Sequence, residues 1–285
     1  MKGFLGACLH LARKLCEKKN LLKKRVYIAF TYNEETTFDG AYQLAEYLNT
    51  LKNKPKICVV GEPTNMQVAT SHKGYCGVNC SIKGKPCHSS SPDDGVSSVH
   101  LAAQLVCFIH ELANERKNNG PFNNSFQPNY TTIHCGIING GSALNIIPSS
   151  CDLSFEIRPI PEDNPDEIIN KIKEYAMSLE KNISHPDCGF SFSKLNFSSL
   201  ASDANNETSY TSKFVSRFFP SATPISLSYS TEAGTFYRIC GIPSIVAGPG
   251  SIGEAHKPDE FVLVDQMTQC EKFFEEIADY VASTN

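Results

Sequence analysis

No two cysteines in this chain are spaced Cys-x-x-Cys, although 285 residues carry twelve of them. Without that spacing or any regular interval they read as the reduced thiols of a cytoplasmic protein, and a disulfide framework is excluded. No apolar run approaches the length needed to span a membrane. A basic excess is also missing: 26 Lys and Arg face 30 Asp and Glu, a formal net charge of -4. That leaves no field for nucleic acid, and the one compact basic cluster, Lys18-Lys19 with Lys23-Lys24-Arg25, reads as a solvated turn. There is no internal repeat. Neither a G-x-S-x-G elbow, a P-loop nor a dinucleotide fingerprint occurs, so those enzyme classes fall away. The opening residues resemble a signal sequence only superficially, because His10 and Arg13-Lys14 interrupt the apolar run. Phe4, Leu5, Cys8, Leu9, Ala12 and Leu15 instead fall on one face of an amphipathic helix.

What is present is a hydrophobic content of 41%, enough to bury a sizeable core. The pattern predicts a helix over 3–18, a strand over 25–32, a helix over 38–50 and a strand over 56–61, the alternation of a parallel sheet. The rhythm then changes to a strand over 75–83, a helix over 96–115, strands over 130–138 and 151–158, a helix over 165–181 and a strand over 189–196. This β-α-β-β-α-β order predicts a ferredoxin-like domain inserted into the first. Helices over 206–219, 231–239 and 264–281 with a strand over 243–247 resume the α/β alternation. The expected fold class is therefore α/β, a mostly parallel-sheet domain over 1–73 and 197–285 interrupted by a ferredoxin-like domain over 74–196.

Two adjacent carboxylates, Glu34 and Glu35, follow the apolar run Val26-Tyr27-Ile28-Ala29-Phe30, and Glu62 follows a second run. Both positions read as strand ends, where α/β proteins build their sites. Like charges delivered to one rim repel unless a cation or proton intervenes, so a metal site is the economical reading. His256 joins them because its Gly- and Pro-rich loop, residues 248–260, directly follows a predicted strand. His88, in Lys85-Pro86-Cys87-His88-Ser89-Ser90, is a second candidate, and Asn145 and Arg158 could donate to an oxyanion and pair with a substrate carboxylate. The other histidines, His10, His72, His100, His110, His134 and His185, are assigned to core edges or surface.

These segments, with Met1-Lys2-Gly3-Phe4, Asn33-Glu34-Glu35-Thr36, Gly61-Glu62-Pro63-Thr64, His72-Lys73-Gly74, Gly141 to Pro148, Thr231-Glu232-Ala233 and Gly248 to Glu260, resemble in order the superfamily of acetylornithine deacetylase, succinyl-diaminopimelate desuccinylase and aminoacylase. The resemblance implies a dinuclear zinc hydrolase, with cobalt as the other metal, acting on a small N-acyl amino acid. It implies Glu34 as general base, Glu35 and His256 as ligands of one metal and Glu62 of the other. By the same resemblance His88 and Asn145, from a partner subunit's inserted domain, stabilise the oxyanion. Arg158 binds substrate carboxylate, and Thr231 with Gly248 and Gly250 lines the pocket. A homodimer through the inserted domain is implied. Family members also carry an upstream His in an H-x-D motif, and an Asp directly before the Met-Lys-Gly segment that here is Met1-Lys2-Gly3. Neither has a counterpart, so the chain reads as N-terminally truncated, with a strand layer lost from over the first helix. It is expected to show little or no hydrolysis and reduced stability.

Overall fold

The computed structural model describes residues 2–183, 185–197, 200 and 208–283. In chain order the elements begin with α1 (Lys2–Glu17), α2 (Asp39–Thr50), β1 (Cys58–Val60) and β2 (Ala69–His72). There follow β3 (Tyr75–Lys83), α3 (Ser98–Asn119), β4 (Thr132–Gly140), β5 (Ser150–Arg158), α4 (Pro165–Glu180) and β6 (Gly189–Phe197). The chain closes with α5 (Tyr210–Phe218), β7 (Ile225–Leu227), α6 (Ala233–Cys240), β8 (Ser244–Val246) and α7 (Val264–Ala282). Two compact units emerge, one of Met1–His72 with Leu200–Asn285, the other of Lys73–Ser199. Residues 206 and 207 of the expected helix over 206–219 lie outside the described residues.

In the second unit, β3, β4, β5 and β6 form an antiparallel sheet in the order β4-β5-β3-β6, the ferredoxin-like arrangement. The strands alternate because one face alone is dry. Cys76, Val78, Cys80 and Ile82 of β3 and Cys151, Leu153, Phe155 and Ile157 of β5 turn inward onto the buried faces of α3 and α4. Those helices start where the sequence supplies caps: the Ser97 hydroxyl accepts from the His100 N–H, and Asn164 accepts from the Asp166 N–H just ahead of Pro165.

In the first unit the sheet runs β1-β8-β2-β7, parallel for β1 with β8 and for β2 with β7, antiparallel for β2 with β8. Its core joins Ala7, Cys8 and Leu11 of α1 to Phe214, Phe218, Cys270, Phe273 and Phe274. The inward face of α1 is thus narrower than its pattern suggests. Leu5 and Leu9, expected on it, are exposed.

One expected strand is absent: residues 25–32 join no ladder. Their burial alternates as a strand's would, from half-buried Val26 and Ile28 to exposed Tyr27 and Ala29. Alternation marks a chain that could pair, and pairing needs a neighbour. Two strands, β2 and β7, were not anticipated, for both are short and β2 is buried at every position. All twelve cysteines are free, with Cys8, Cys76, Cys80, Cys151, Cys240 and Cys270 buried and Cys16 and Cys107 exposed. Among the described residues no helix is long and apolar enough to cross a membrane.

Candidate metal and hydrolytic site

Glu34 and Glu35 ride a turn built by Asn33. Its backbone takes the left-handed region, φ 57°, which Asn tolerates better than most residues. Its carbonyl accepts from the N–H groups of Thr37 and Phe38 at 3.0 and 2.9 Å, and its side-chain amide donates to Asp39 Oδ2 at 3.0 Å. Glu62 follows β1 in a segment laced to the loop after β8. Thr64 N–H donates to the Glu62 carbonyl, Met66 N–H to that of Gly248 at 2.9 Å, and Gly248 N–H to the Thr64 hydroxyl at 3.1 Å. Gly248 is required here, because a Cβ on it would lie 2.6 Å from the Glu62 carbonyl oxygen. Gly250, at φ 101°, accepts from Asn65 N–H and donates to Gln266 Oε1 at 2.5 Å.

The carboxylates feel one another. Burial, then the charges of Glu35 and Glu232, pushes the Glu34 carboxyl up to about 7, with His256 opposing. Burial, then Glu34 and Glu232, pushes Glu62 up to about 8. Burial also raises Glu232, against the pull of its hydrogen bond from Thr31. Glu232 belongs to the Thr231-Glu232-Ala233 segment, in which the resemblance assigns a role to Thr231 alone. In the structure it is 7% exposed, Oε2 accepts from the Thr31 hydroxyl at 2.8 Å, and Oε1 is buried with no hydrogen-bond partner among the described residues. The Tyr229 hydroxyl is likewise buried without a partner among the described residues, and burial followed by the Glu62 charge raises its pKa. The signal available in sequence was an acid opening the otherwise apolar helix segment Ala233-Gly234-Thr235-Phe236.

His256, at φ 60° in its loop, sets Nε2 3.1 Å from Glu35 Oε1, and the two side chains are 74% and 67% exposed. Thr231 is fully buried, its hydroxyl accepting from Ala233 N–H at 3.2 Å. His72, expected at a core edge or surface, is wholly buried, its Nε2 accepting from Gly234 N–H at 3.1 Å.

The oxygen- and nitrogen-rich set Glu34, Glu35, Glu62, Glu232 and His256 has the chemistry of a metal site, and the orphaned Glu232 oxygen asks for a positive partner. The geometry falls short. Among the described residues no three His, Cys, Asp or Glu side chains converge where one ion could sit. A complete dinuclear centre therefore does not fit these residues.

In the second unit, His88 and Asn145 lie on adjacent backbones: His88 bridges to Ile146, and Ser89 N–H donates to the Asn145 carbonyl at 3.0 Å. His88 Nδ1 lies 2.7 Å from the Ser90 hydroxyl and 3.2 Å from the Ser90 N–H, so Ser90 holds one edge of the ring and Nε2 is turned away from it. Both residues are exposed. Arg158 is already occupied, its Nε and Nη2 donating to the two oxygens of Glu156 at 2.9 and 3.1 Å, with its guanidinium 5.2 Å over the Tyr75 ring. Glu156 thus holds the guanidinium that the resemblance assigns to a substrate carboxylate.

Comparison with known proteins supplies the frame. Residues 70–184 match the model of the peptidase dimerisation domain of the M20 family. An acetylornithine deacetylase of Buchnera aphidicola from Acyrthosiphon pisum is 34% identical over 262 residues, 92% of this chain and 65% of that protein. The acetylornithine deacetylase of Myxococcus xanthus is 30% identical over 277 residues, 95% of this chain and 67% of that one. The chain thus spans under two thirds of the Buchnera protein. The M20 family metallo-carboxypeptidase Sso-CP2 of Sulfolobus solfataricus shares the fold, with a TM-score of 0.69 at 18% identity, over 99% of this chain and 76% of that one. A match that runs through both units at this identity settles the kinship: the chain belongs to the M20 peptidase family that includes the acetylornithine deacetylases.

Proposed function

We propose that this chain forms the larger part of a cytoplasmic metal-dependent amidohydrolase that cleaves N-acetyl-L-ornithine to L-ornithine and acetate, a step of arginine biosynthesis. The observation that carries this reading is the charge that Glu34, Glu62 and Glu232 exert on one another, with the 3.1 Å His256–Glu35 contact, in a chain 34% identical to an acetylornithine deacetylase. Glu34 takes the proton of the attacking water and passes it to the leaving amine. His88 Nε2 and the Asn145 amide, contributed by a second copy, donate to the oxyanion. Arg158 exchanges Glu156 for the substrate carboxylate. Thr231, Gly248 and Gly250 shape the wall.

Glu35, His256 and Glu62 are the zinc or cobalt ligands in this reading, fewer than the three protein ligands usual for each catalytic zinc. Alone, the chain accordingly has little or no turnover. The test has two arms. Purified with zinc, the chain should retain less than one tightly held ion and release little ornithine, and two tightly held ions with ordinary turnover would refute the short donor set. A chimera joining this chain to the part of the Buchnera protein it does not span should bind metal and prefer N-acetylornithine over N-succinyl-diaminopimelate and dipeptides. A folded, metal-loaded chimera without that preference refutes the substrate.

A second reading, a non-catalytic dimerisation partner, draws on the whole ferredoxin-like unit standing beside an incomplete donor set. It requires the chain to bind a full-length relative, which a pull-down with the Myxococcus protein decides.

A further inference from the structure

Helix α6 begins in a buried corner, where Ala233, Gly234, Thr235 and Phe236 are all shut from water. The first amides of a helix find no acceptor inside it, and in a dry setting each needs one from elsewhere. Three are served locally. Ala233 N–H donates to the Thr231 hydroxyl at 3.2 Å, and Thr235 and Phe236 N–H donate to the Glu232 carbonyl at 3.0 and 3.2 Å. The Gly234 N–H is served from another element, by Nε2 of His72 at 3.1 Å. Glu232 occupies the N-cap, yet among the described residues its side chain makes no capping bond. Its Oε2 instead accepts from Thr31, in the segment that leads to Glu34, and its charge is felt at Glu34 and Glu62.

His72 is held for this task. It closes β2, its backbone N–H donates to the Leu200 carbonyl at 3.2 Å, and its carbonyl accepts from Leu200 N–H at 3.1 Å. It lies opposite Leu227, the last residue of β7, so the wholly buried ring reaches past that strand to the start of α6. A ring nitrogen that accepts carries no proton, so the hydrogen of the neutral imidazole sits on Nδ1.

We propose that His72 is a positioning residue: with its ring proton on Nδ1 it caps α6 in place of Glu232, and so frees the Glu232 carboxylate to face Glu34 and Glu62. The two tasks exclude each other. A side-chain oxygen at the N-cap accepts from the second or third helical N–H, and Gly234 is the second, so with His72 gone Glu232 turns back onto its own helix and leaves Thr31. The importance of that carboxylate for turnover rests on the hydrolase reading above, whereas the capping does not.

The whole chain, nitrogen-15-labelled and kept reduced, gives the first readout. Long-range proton–nitrogen correlation should show His72 protonated on Nδ1 and bare on Nε2, with a slowly exchanging Gly234 amide. His72→Gln brings an amide oxygen near the place of Nε2, while His72→Phe fills the space without an acceptor. The Phe variant should exchange its Gly234 amide about tenfold faster or more, and the Gln variant should recover most of the protection. Crystal structures should show Glu232 on Thr31 in the Gln variant and turned onto Gly234 in the Phe variant. A proton on Nε2 overturns the proposal. So does a Phe variant, folded by circular dichroism, that keeps both the Gly234 protection and the Thr31–Glu232 bond; if that variant does not fold, the tautomer and the Gln variant carry the test. None of these readouts needs metal or turnover, so the outcome is separate from failure of the hydrolase reading, which shows as an idle chimera.

Discussion

Lys73 is the most exacting test of the electrostatics. Its side chain is 1% exposed, its ammonium donates to the Tyr130 carbonyl at 2.7 Å, and burial followed by the Arg158 charge lowers its pKa from 10.5 to about 8. At about 1.4 kcal/mol per tenfold change in proton affinity, holding the charged form costs the folded state at most about 3 kcal/mol. Lys73→Met removes that cost, but it strands the Tyr130 carbonyl, worth about 1–3 kcal/mol. At pH 7 the two nearly cancel, so stability there is uninformative. The pH dependence is decisive. Below about 8 folded and unfolded chains both hold the proton and the penalty is constant; between about 8 and 10.5 only the unfolded chain holds it, so stability rises with pH. Urea unfolding of wild type and Lys73→Met under reducing conditions should therefore show wild type gaining about 2–3 kcal/mol on the variant between pH 7 and pH 10.5. A difference that stays constant across that window refutes the buried, depressed lysine.

Other perturbations follow from single contacts. Gly84→Ala would place a Cβ 2.2 Å from the Val96 carbonyl oxygen, and backbone cannot yield as a side chain does. A loss of about 2 kcal/mol or more is expected, with faster amide exchange at Lys85, whose N–H donates to Val96. Arg116 Nε donates to Asp163 Oδ2 at 2.9 Å, with both side chains nearly buried. Asp163→Ala removes the buried carboxylate and leaves that guanidinium, among the described residues, only the more exposed Glu115, 3.1 Å from Nη1, so a loss of up to about 3 kcal/mol is expected, with Asp163→Asn clearly less; denaturant midpoints compare the two. Thr31→Val removes the hydrogen bond that the Thr31 hydroxyl gives the buried Glu232 carboxylate, so a loss of about 1–3 kcal/mol should appear in the same assay.

Much of the second unit was legible because its information is local. Period-two burial in β3 and β5, the Ser97 and Asn164 caps and the Pro165 start each sit within a few residues of what they determine. The first unit was read less well, since its strands are defined by distant neighbours. Ala69–His72 is buried at every position and so carries no alternation, while residues 25–32 alternate but find no ladder. The site divided in the same way. Glu34, Glu35, Glu62 and His256 announced themselves by following apolar runs, and their mutual influence is present in the structure. Glu232 became visible only through its burial and its unpartnered oxygen, which no spacing encodes.

The free cysteines give the molecule a set of internal clocks. A thiol reacts as its thiolate, and burial pushes Cys8 and Cys76 up to about 11 and Cys80 and Cys270 up to about 12. Near neutral pH, alkylating reagents should mark Cys16 and Cys107 at once and reach the buried Cys8, Cys76, Cys80, Cys151, Cys240 and Cys270 only when their surroundings open. Cys8 and Cys270 report on one unit, Cys76 and Cys80 on the other. Mass spectrometry of a single alkylation time course would thus time the opening of each unit separately, with no substitution in the chain.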